Sequence, residues 1–222
     1  RILGFARKSP DEYWLAARRA GFGFLNIHDH SFQMLDSDPE KPKTVQGGFI
    51  RKVYVGQDSN VWVMGEKGIS FYNPRSDIFT RKPLEFVSPK YGRISCFASF
   101  DDVVYISGVF ASGIWQYNRI TREITLNAYP EDHISISRML ADKEAVYGIY
   151  DEKIYRLSRP TGIIEELPIF PDNSGNAPNP RFISLMKAND SILLLGTRLS
   201  GLMEYNLNTY QLKGYFDIDG QP

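Results

Sequence analysis

A short motif occurs five times along the chain at nearly even intervals. Each copy reads Gly, an apolar residue, two variable residues, Leu or Tyr, and then Asn; only the fourth copy lacks both the Gly and the Asn. The last residues of the copies lie 47, 45, 40 and 48 residues apart, at Asn26, Asn73, Asn118, Ser158 and Asn206. A repeat of this period is one supersecondary unit, which buries its apolar faces only by stacking against its neighbours.

The residues around each motif predict four short strands per copy. An aromatic or aliphatic run precedes every motif, at 13–16, 61–64, 104–107, 146–149 and 193–196. A further apolar run lies upstream of that one, and a fourth follows a turn that contains Ser31, Ser76, Thr121, Thr161 or Thr209. Short β-branched and aromatic runs between Asp, Asn and Gly clusters are typical of strands joined by hairpins.

The repeat therefore predicts an all-β chain, a β-propeller of four-stranded antiparallel blades with five blades in this sequence. Residues 1–222 are expected to form a single propeller domain or a fragment of one. The expected blades are about 1–37, 49–84, 93–128, 135–168 and 181–217. We expect the inner strands to start near Ile2, Ile50, Ile94, Ile136 and Phe182, with almost no helix, even in the most helix-like stretch, 137–146.

Composition excludes several classes of partner. Lys plus Arg and Asp plus Glu both number 26, so the formal net charge is zero and no basic excess favours nucleic acid or an anionic membrane. No apolar run approaches the roughly 18 residues of a membrane span. Cys96 is the sole cysteine, so no intrachain disulfide forms, and its apolar neighbours place it in the core.

The second copy resembles a known repeat. Residues 60–79 read NVWVMGEKGISFYNPRSDIF, which is similar to the two-component regulator propeller repeat, roughly N-L-W-I-G-T-x-x-G-L-x-x-Y-D-P-x-T-x-x-F. The fifth copy keeps the Gly-Thr element at Gly196 and Thr197. The resemblance covers nearly the whole chain; copies two and five match well, one and three fairly, and four poorly.

The resemblance implies a function for the whole protein. Such repeats form seven-bladed propellers, often in tandem, in the extracytoplasmic half of sensor histidine kinases, many of them hybrid regulators of gut Bacteroidetes that sense glycan fragments. It implies a periplasmic part of an inner-membrane receptor that detects a carbohydrate or other small ligand and relays to a histidine kinase. The expected partners are that ligand, the remaining blades, downstream signalling domains and, as an option, a second copy. Because five blades are fewer than seven, we expect an incomplete ring; the alternative is a closed five-bladed ring.

A ligand site is expected on the face that carries the turns between strands two and three and the long links between blades. Arginine recurs there at the entry to inner strands, and an arginine cluster suits an acidic sugar or another carboxylate. The alternative is a solvated repeat position, or one bonded to its neighbours. The candidate ligand-binding residues are Arg51, Arg93, Arg181, Arg198, Phe110 and Tyr91.

Two other functions stay open, a propeller enzyme (lyase, lactonase or glycosidase) acting on a carbohydrate and a protein-interaction propeller. No catalytic residue, metal or cofactor is predicted, because the sequence has no nucleophile elbow and its Asp and Glu residues fall mostly in turns. His28-Asp29-His30 suggests a metal site, but the repeat register places these residues in an ordinary outer hairpin turn.

Overall fold

The structure is a computed structural model that describes residues 2–17, 21–35, 45, 50–55, 61–65, 68–73, 78–83, 93–109, 112–131, 134–171 and 180–214. The chain divides into two compact units, Arg1–Tyr91 and Gly92–Pro222, each of which is described by itself. In the described residues all regular structure is β, and every repeat forms an antiparallel sheet of four consecutive strands. The predicted fold class is therefore confirmed.

The first unit contains two sheets, named blades 1 and 2, each with its strands in chain order from the inner to the outer edge. Blade 1 consists of β1 (Ile2–Arg7), β2 (Glu12–Ala17), β3 (Gly21–Asn26) and β4 (Phe32–Leu35). Blade 2 consists of β5 (Ile50–Val55), β6 (Val61–Gly65), β7 (Gly68–Asn73) and β8 (Ile78–Pro83).

The second unit contains three sheets, named blades 3, 4 and 5. Blade 3 consists of β9 (Arg93–Phe100), β10 (Val103–Val109), β11 (Gly113–Asn118) and β12 (Ile124–Ala128). Blade 4 consists of β13 (Arg138–Ala141), β14 (Ala145–Tyr150), β15 (Lys153–Ser158) and β16 (Ile164–Leu167). Blade 5 consists of β17 (Phe170–Pro171), β18 (Phe182–Asn189), β19 (Ile192–Thr197), β20 (Leu202–Asn206) and β21 (Gln211–Gly214).

Blade 5 has a fifth strand that the repeat does not predict. The link after blade 4, expected on the loop-rich face, begins instead as β17, which pairs in parallel with the outer strand β21. The Phe170 amide donates to the Tyr210 carbonyl at 2.9 Å. The buried Tyr205 phenol donates to the Pro168 carbonyl at 2.7 Å. This pairing satisfies backbone groups that an outer edge strand otherwise leaves to water.

Four of the five inner strands begin at or within one residue of the predicted starts. The exception is blade 4, where β13 begins at Arg138 rather than at Ile136. Residues 134–137 are irregular, and both the amide and the hydroxyl of Ser137 donate to the Ile149 carbonyl, at 2.9 and 3.2 Å. The side chain of Ile136 lies directly over Gly148, where a Cβ would be only 2.9 Å from Ile136 Cγ2.

The core is made of clusters between successive blades. Tyr105 of blade 3 packs with Val146 and Tyr155 of blade 4, and Cys96 is fully buried in the same cluster, as predicted. Tyr147 of blade 4 packs in the next cluster, which also contains Leu193, Leu195 and Tyr205 of blade 5. In the first unit the corresponding cluster joins Trp14 and Phe22 to Val53, Val61 and Val63. In β14, alternate residues therefore face the two neighbouring blades, Val146 toward blade 3 and Tyr147 toward blade 5, as the period of two requires.

Candidate ligand-binding face

Two of the predicted site residues meet at the boundary between blades 4 and 5. Residues 151–152 turn β14 into β15, and Arg181 directly precedes β18. The Asp151 carbonyl accepts the Phe182 amide at 2.9 Å, and the Arg181 carbonyl accepts the Arg198 amide at 2.9 Å. These two bonds fix the β14–β15 turn, the start of β18 and the end of β19 beside one another. We call this group the arginine corner: Asp151, Glu152, Arg181 and residues 198–200.

The side chain of Arg181 is held in place by a carboxylate from the neighbouring blade. Its Nε lies 2.6 Å from Oδ1 of Asp151, and both side chains are exposed to solvent. The hydrogen bond and the charge of Asp151 raise the pKa of the Arg181 guanidinium. Asp151 adopts a positive φ of 54°, a conformation that Asp tolerates better than most residues in a two-residue turn. The pair positions the Arg181 guanidinium while leaving the side chain 59% exposed.

Arg198 and Leu199 belong to a turn whose backbone is held by hydrogen bonds of the Thr197 side chain. The Thr197 hydroxyl donates to the Gly201 carbonyl at 2.9 Å and accepts the Ser200 amide at 2.8 Å. Gly201 has a φ of 69°, the left-handed region that favours glycine. Among the described residues the Arg198 guanidinium makes no hydrogen bond or ion pair, and Leu199 is 71% exposed. The bonds of Thr197 therefore fix the backbone of the turn, from which one cation and one apolar side chain extend into solvent.

The other four predicted site residues are not brought to this corner by any described contact. Arg51 lies at the bulge of β5, between Ile50 and Lys52, and Arg93 is the first residue of β9, opposite Val109. Their side chains lie outside what the structure describes, as do Phe110 and Tyr91 altogether. Their role in a site stays a prediction.

Asp151, which positions Arg181, is not in the sequence-based set of site residues. Its signal in the sequence is weak, because Asp in a two-residue hairpin turn is normally explained by the turn alone. The informative feature is instead the contact of this turn with Arg181, which lies 30 residues further along the chain and directly precedes the inner strand of the next blade.

His28, Asp29 and His30 lie in the outer turn of blade 1, as the register predicted. The Asn26 side chain accepts the amides of His28 and Asp29, and the Asp29 carboxylate accepts the Ser31 amide at 2.8 Å. These bonds account for the turn without a metal. Within the described residues, no group of three or more His, Cys, Asp or Glu side chains is placed to hold a metal ion.

A buried polar pair ties the link between blades 3 and 4 to β10. The Tyr129 phenol is hydrogen-bonded to the hydroxyl of the fully buried Ser107, which also contacts the Gly113 carbonyl at 3.2 Å. Burial raises the pKa of Tyr129. Since Ser107 has no access to solvent, this pair fixes the link and does not offer a site.

No protein-family model and no curated protein matches this sequence. Solved structures do match. A catalytically inactive variant of virginiamycin B lyase from Staphylococcus aureus, with quinupristin, shares 15% identity at a TM-score of 0.74, covering 99% of this chain and 71% of that one. The extracellular domain of the hybrid two-component system BT4673 from B. thetaiotaomicron shares 17% identity at a TM-score of 0.66, covering 99% and 30%. The extracellular domain of the hybrid two-component system BT3049, also from B. thetaiotaomicron, shares 15% identity at a TM-score of 0.60. The match covers 100% of this chain and 35% of that one.

Proteins of other functions have the same fold. The structure of U3-55K shares 10% identity at a TM-score of 0.70, covering 96% of this chain and 64% of that one. The chain thus spans about two thirds of this neighbour and about a third of the two-component ectodomains. Likeness at such identities shows the fold alone, and together with the blades described above it defines a β-propeller protein. Among the described residues, no helix is long and apolar enough to cross a membrane.

Proposed function

We propose that this chain is part of the ligand-binding propeller of an extracytoplasmic sensor that signals through a histidine kinase. The observation that carries the proposal is the agreement between two independent features. The repeat motif resembles the two-component regulator propeller, and the fold is similar to the extracellular domains of BT4673 and BT3049 over at least 99% of this chain. On this proposal the chain is periplasmic, and the kinase lies in a separate domain.

The arginine corner suits recognition without turnover. A sensor needs donors and contact surface that are fixed before the ligand arrives, because preorganisation lowers the cost of binding. Arg181 is positioned by Asp151, and Arg198 and Leu199 are positioned by the 197–201 turn. Two guanidinium groups offer charge-assisted hydrogen bonds to a carboxylate, and Leu199 offers an apolar contact to a sugar ring. The proposed ligand is therefore an acidic oligosaccharide.

A lyase is the second candidate, and one observation favours it. Virginiamycin B lyase is similar to this chain over 99% of its length, with a higher TM-score than the two-component ectodomains have. A sensor releases its ligand unchanged, whereas a lyase or a hydrolase converts it. Chemical analysis of the ligand after binding therefore separates the two candidates.

The test is calorimetric titration of the chain with oligogalacturonates and with neutral galactan oligomers of equal length, followed by chromatography of the recovered sugars. We expect saturable binding of the acidic series, recovered intact, and binding at least about tenfold weaker in Arg198→Ala. Lys213→Ala is the matched control, because it removes one exposed cation elsewhere in blade 5 and should bind as the wild type does. Steady formation of shorter or unsaturated products would replace the sensor by the enzyme.

A further inference from the structure

The formal charges of the arginine corner cancel. Arg181 and Arg198 supply two positive charges, and Asp151 and Glu152 supply two negative charges. Asp151 is bonded to the Arg181 guanidinium, and Glu152 lies close enough for its charge to raise the pKa of Arg181. The corner therefore offers donors to a carboxylate but has no net positive charge with which to favour an acidic ligand over a neutral one. A site that selects acidic sugars needs a further cation at the same boundary between blades.

Arg138 is a cation at the start of the inner strand of blade 4. It is the first residue of β13, as Arg93 is the first residue of β9. The sequence-based set of site residues omits Arg138, since the predicted strand start at Ile136 puts it inside the strand rather than at its entry. Its exposed side chain donates from a terminal nitrogen to the carbonyl of its neighbour Ser137 at 2.7 Å. Unlike Arg181, it has no carboxylate partner among the described residues.

The register of β13 places Arg138 on the side of blade 4 that faces blade 5. Its cross-strand partner Ile149 is fully buried in the cluster that blades 4 and 5 share, and Leu140, two residues further along β13, packs against the same cluster. Met139, between them, packs toward blade 3. Since residues two apart on a strand share a face, Arg138 lies on the blade 5 side with Leu140. β13 also lies beside β18, the inner strand of blade 5.

A short path of contacts connects Arg138 to the arginine corner. The Cα atoms of Arg138 and Ile149, as antiparallel partners, lie about 5 Å apart. Asp151 is two residues beyond Ile149, which is at most about 7 Å further along the chain. Asp151 bonds the Arg181 side chain, and the Arg181 carbonyl accepts the Arg198 amide. Along this path the Asp151–Arg181 pair lies between Arg138 on one side and Arg198 on the other.

We infer that Arg138 is a further ligand-binding residue, and that Arg138 and Arg198 each bind one carboxylate of the same acidic oligosaccharide. This inference rests on the proposed function. Both arginines lack a carboxylate partner among the described residues, so each can offer charge-assisted, paired donors to a ligand carboxylate. The Asp151–Arg181 pair between them is neutral as a whole and suits the hydroxyl groups of the sugar. A monosaccharide carries one carboxylate, so the site should favour ligands with two or more acidic units.

The test is calorimetric titration with galacturonate, which has one carboxylate, and with trigalacturonate, which has three; galactotriose is the neutral control ligand. The variants are Arg138→Ala, Arg198→Ala, Arg138→Lys and Arg138→Gln, the last of which removes the charge but keeps part of the stem and a donor. Arg7→Ala is the matched control. Arg7 is likewise exposed and bonded to a nearby backbone carbonyl, that of Ser9 at 3.3 Å, but it lies at the end of its inner strand rather than at the entry.

We expect the wild type to bind trigalacturonate at least about tenfold more tightly than galacturonate. Arg138→Ala and Arg138→Gln should weaken trigalacturonate binding at least about tenfold and galacturonate binding by less than about threefold, because one carboxylate can still use Arg198. Arg138→Lys keeps the charge without the planar donors and should give an intermediate affinity. Arg7→Ala should bind both ligands as the wild type does.

The outcomes separate this inference from the proposed function. If Arg198→Ala weakens trigalacturonate binding while Arg138→Ala and Arg138→Gln leave it unchanged, the inference is overturned and the proposed function stands. An equal loss for galacturonate and trigalacturonate in the Arg138 variants would overturn the assignment of one carboxylate to each arginine. Failure of the wild type to bind either acidic ligand would overturn the inference and the proposed ligand together.

Discussion

The guanidinium of Arg159 in blade 4 donates from Nε to the phenol oxygen of Tyr105 in blade 3 at 2.7 Å. The same guanidinium lies over the ring of Phe100, 4.7 Å from its centroid, and donates from a terminal nitrogen to the carbonyls of Asp142 and Lys143 at 2.9 and 3.0 Å. One side chain therefore joins the outer turn of blade 4, its inner hairpin and the second strand of blade 3.

This bond predicts energetic coupling between blades 3 and 4. Tyr105→Phe and Arg159→Met should each lower the free energy of unfolding by about 1–2 kcal/mol, since each leaves a partly buried partner unsatisfied. The double variant should lose about 1 kcal/mol less than the sum, measured as a double-mutant cycle by urea denaturation. A cycle of Tyr105→Phe with the exposed Arg122→Met provides the control and should be additive. Additivity in the Arg159 cycle as well would show that the contact contributes nothing to stability.

A second bond between blades gives a pH-dependent contribution. Lys187 of blade 5 pairs with Asp142 of blade 4, and the two side chains are 20% and 16% exposed. Burial alone would raise the pKa of Asp142, but the bonds from Lys187 and from the amides of Ala145 and Glu144 outweigh it and lower the pKa below its ordinary 3.8. The stability that depends on the carboxylate is therefore present above about pH 4 and is lost as the pH falls through the lowered pKa.

Asp142→Asn keeps the acceptor for both amides and removes the charge. We expect it to lower the free energy of unfolding by about 1–2 kcal/mol at pH 7, and the difference from the wild type to shrink as the pH falls below about 4 and through the lowered pKa of Asp142. Glu144→Gln is the control, because the Lys143–Glu144 pair is 67% exposed on both sides and contributes little. A cost that stays constant from pH 7 down to pH 2.5 would contradict the assignment to the ion pair.

The close approach of Ile136 to Gly148 predicts a large difference between two Gly→Ala substitutions. Gly148→Ala should lower the free energy of unfolding by about 1–3 kcal/mol, because the new Cβ would lie 2.9 Å from a fully buried side chain. Gly214→Ala, where nothing lies within 4 Å of the added Cβ, should change it by less than about 0.5 kcal/mol. Equal effects of the two substitutions in thermal unfolding would refute the described packing of residues 134–137.

Where the motif is intact and the following turn is described, the motif Asn closes that turn. The side chains of Asn26, Asn118 and Asn206 each accept amides from the residues two and three positions further along the chain, which is ordinary turn chemistry for Asn. The fourth copy lacks the motif Asn, and its sequence explains why the same pair of turn bonds does not form. Ser158 replaces Asn in the fourth copy, and Pro160 two residues later has no amide to donate.

Contacts between one repeat and the next are harder to predict from the sequence, because the motif describes a single repeat. The added strand β17 lies just after Pro168, whose carbonyl accepts a hydrogen bond from the Tyr205 phenol. The repeat motif contains nothing that predicts this bond. The pairing of Arg181 with Asp151 depends on the placement of one blade beside the next. The recurring arginines indicate a basic strand entry, but only the fold shows that one of them is already partnered by a carboxylate.

Amide hydrogen exchange, followed by mass spectrometry with and without oligogalacturonate, tests most directly whether the arginine corner is the ligand site. Bound ligand should slow exchange in peptides that contain Phe182, Arg198 and Ser200, whose amides donate the hydrogen bonds that hold the corner together. The protection should be absent with neutral galactan oligomers and in Arg198→Ala. Protection confined to the outer turns, such as residues 118–123 and 158–163, or no binding of the acidic series at all, would contradict the account.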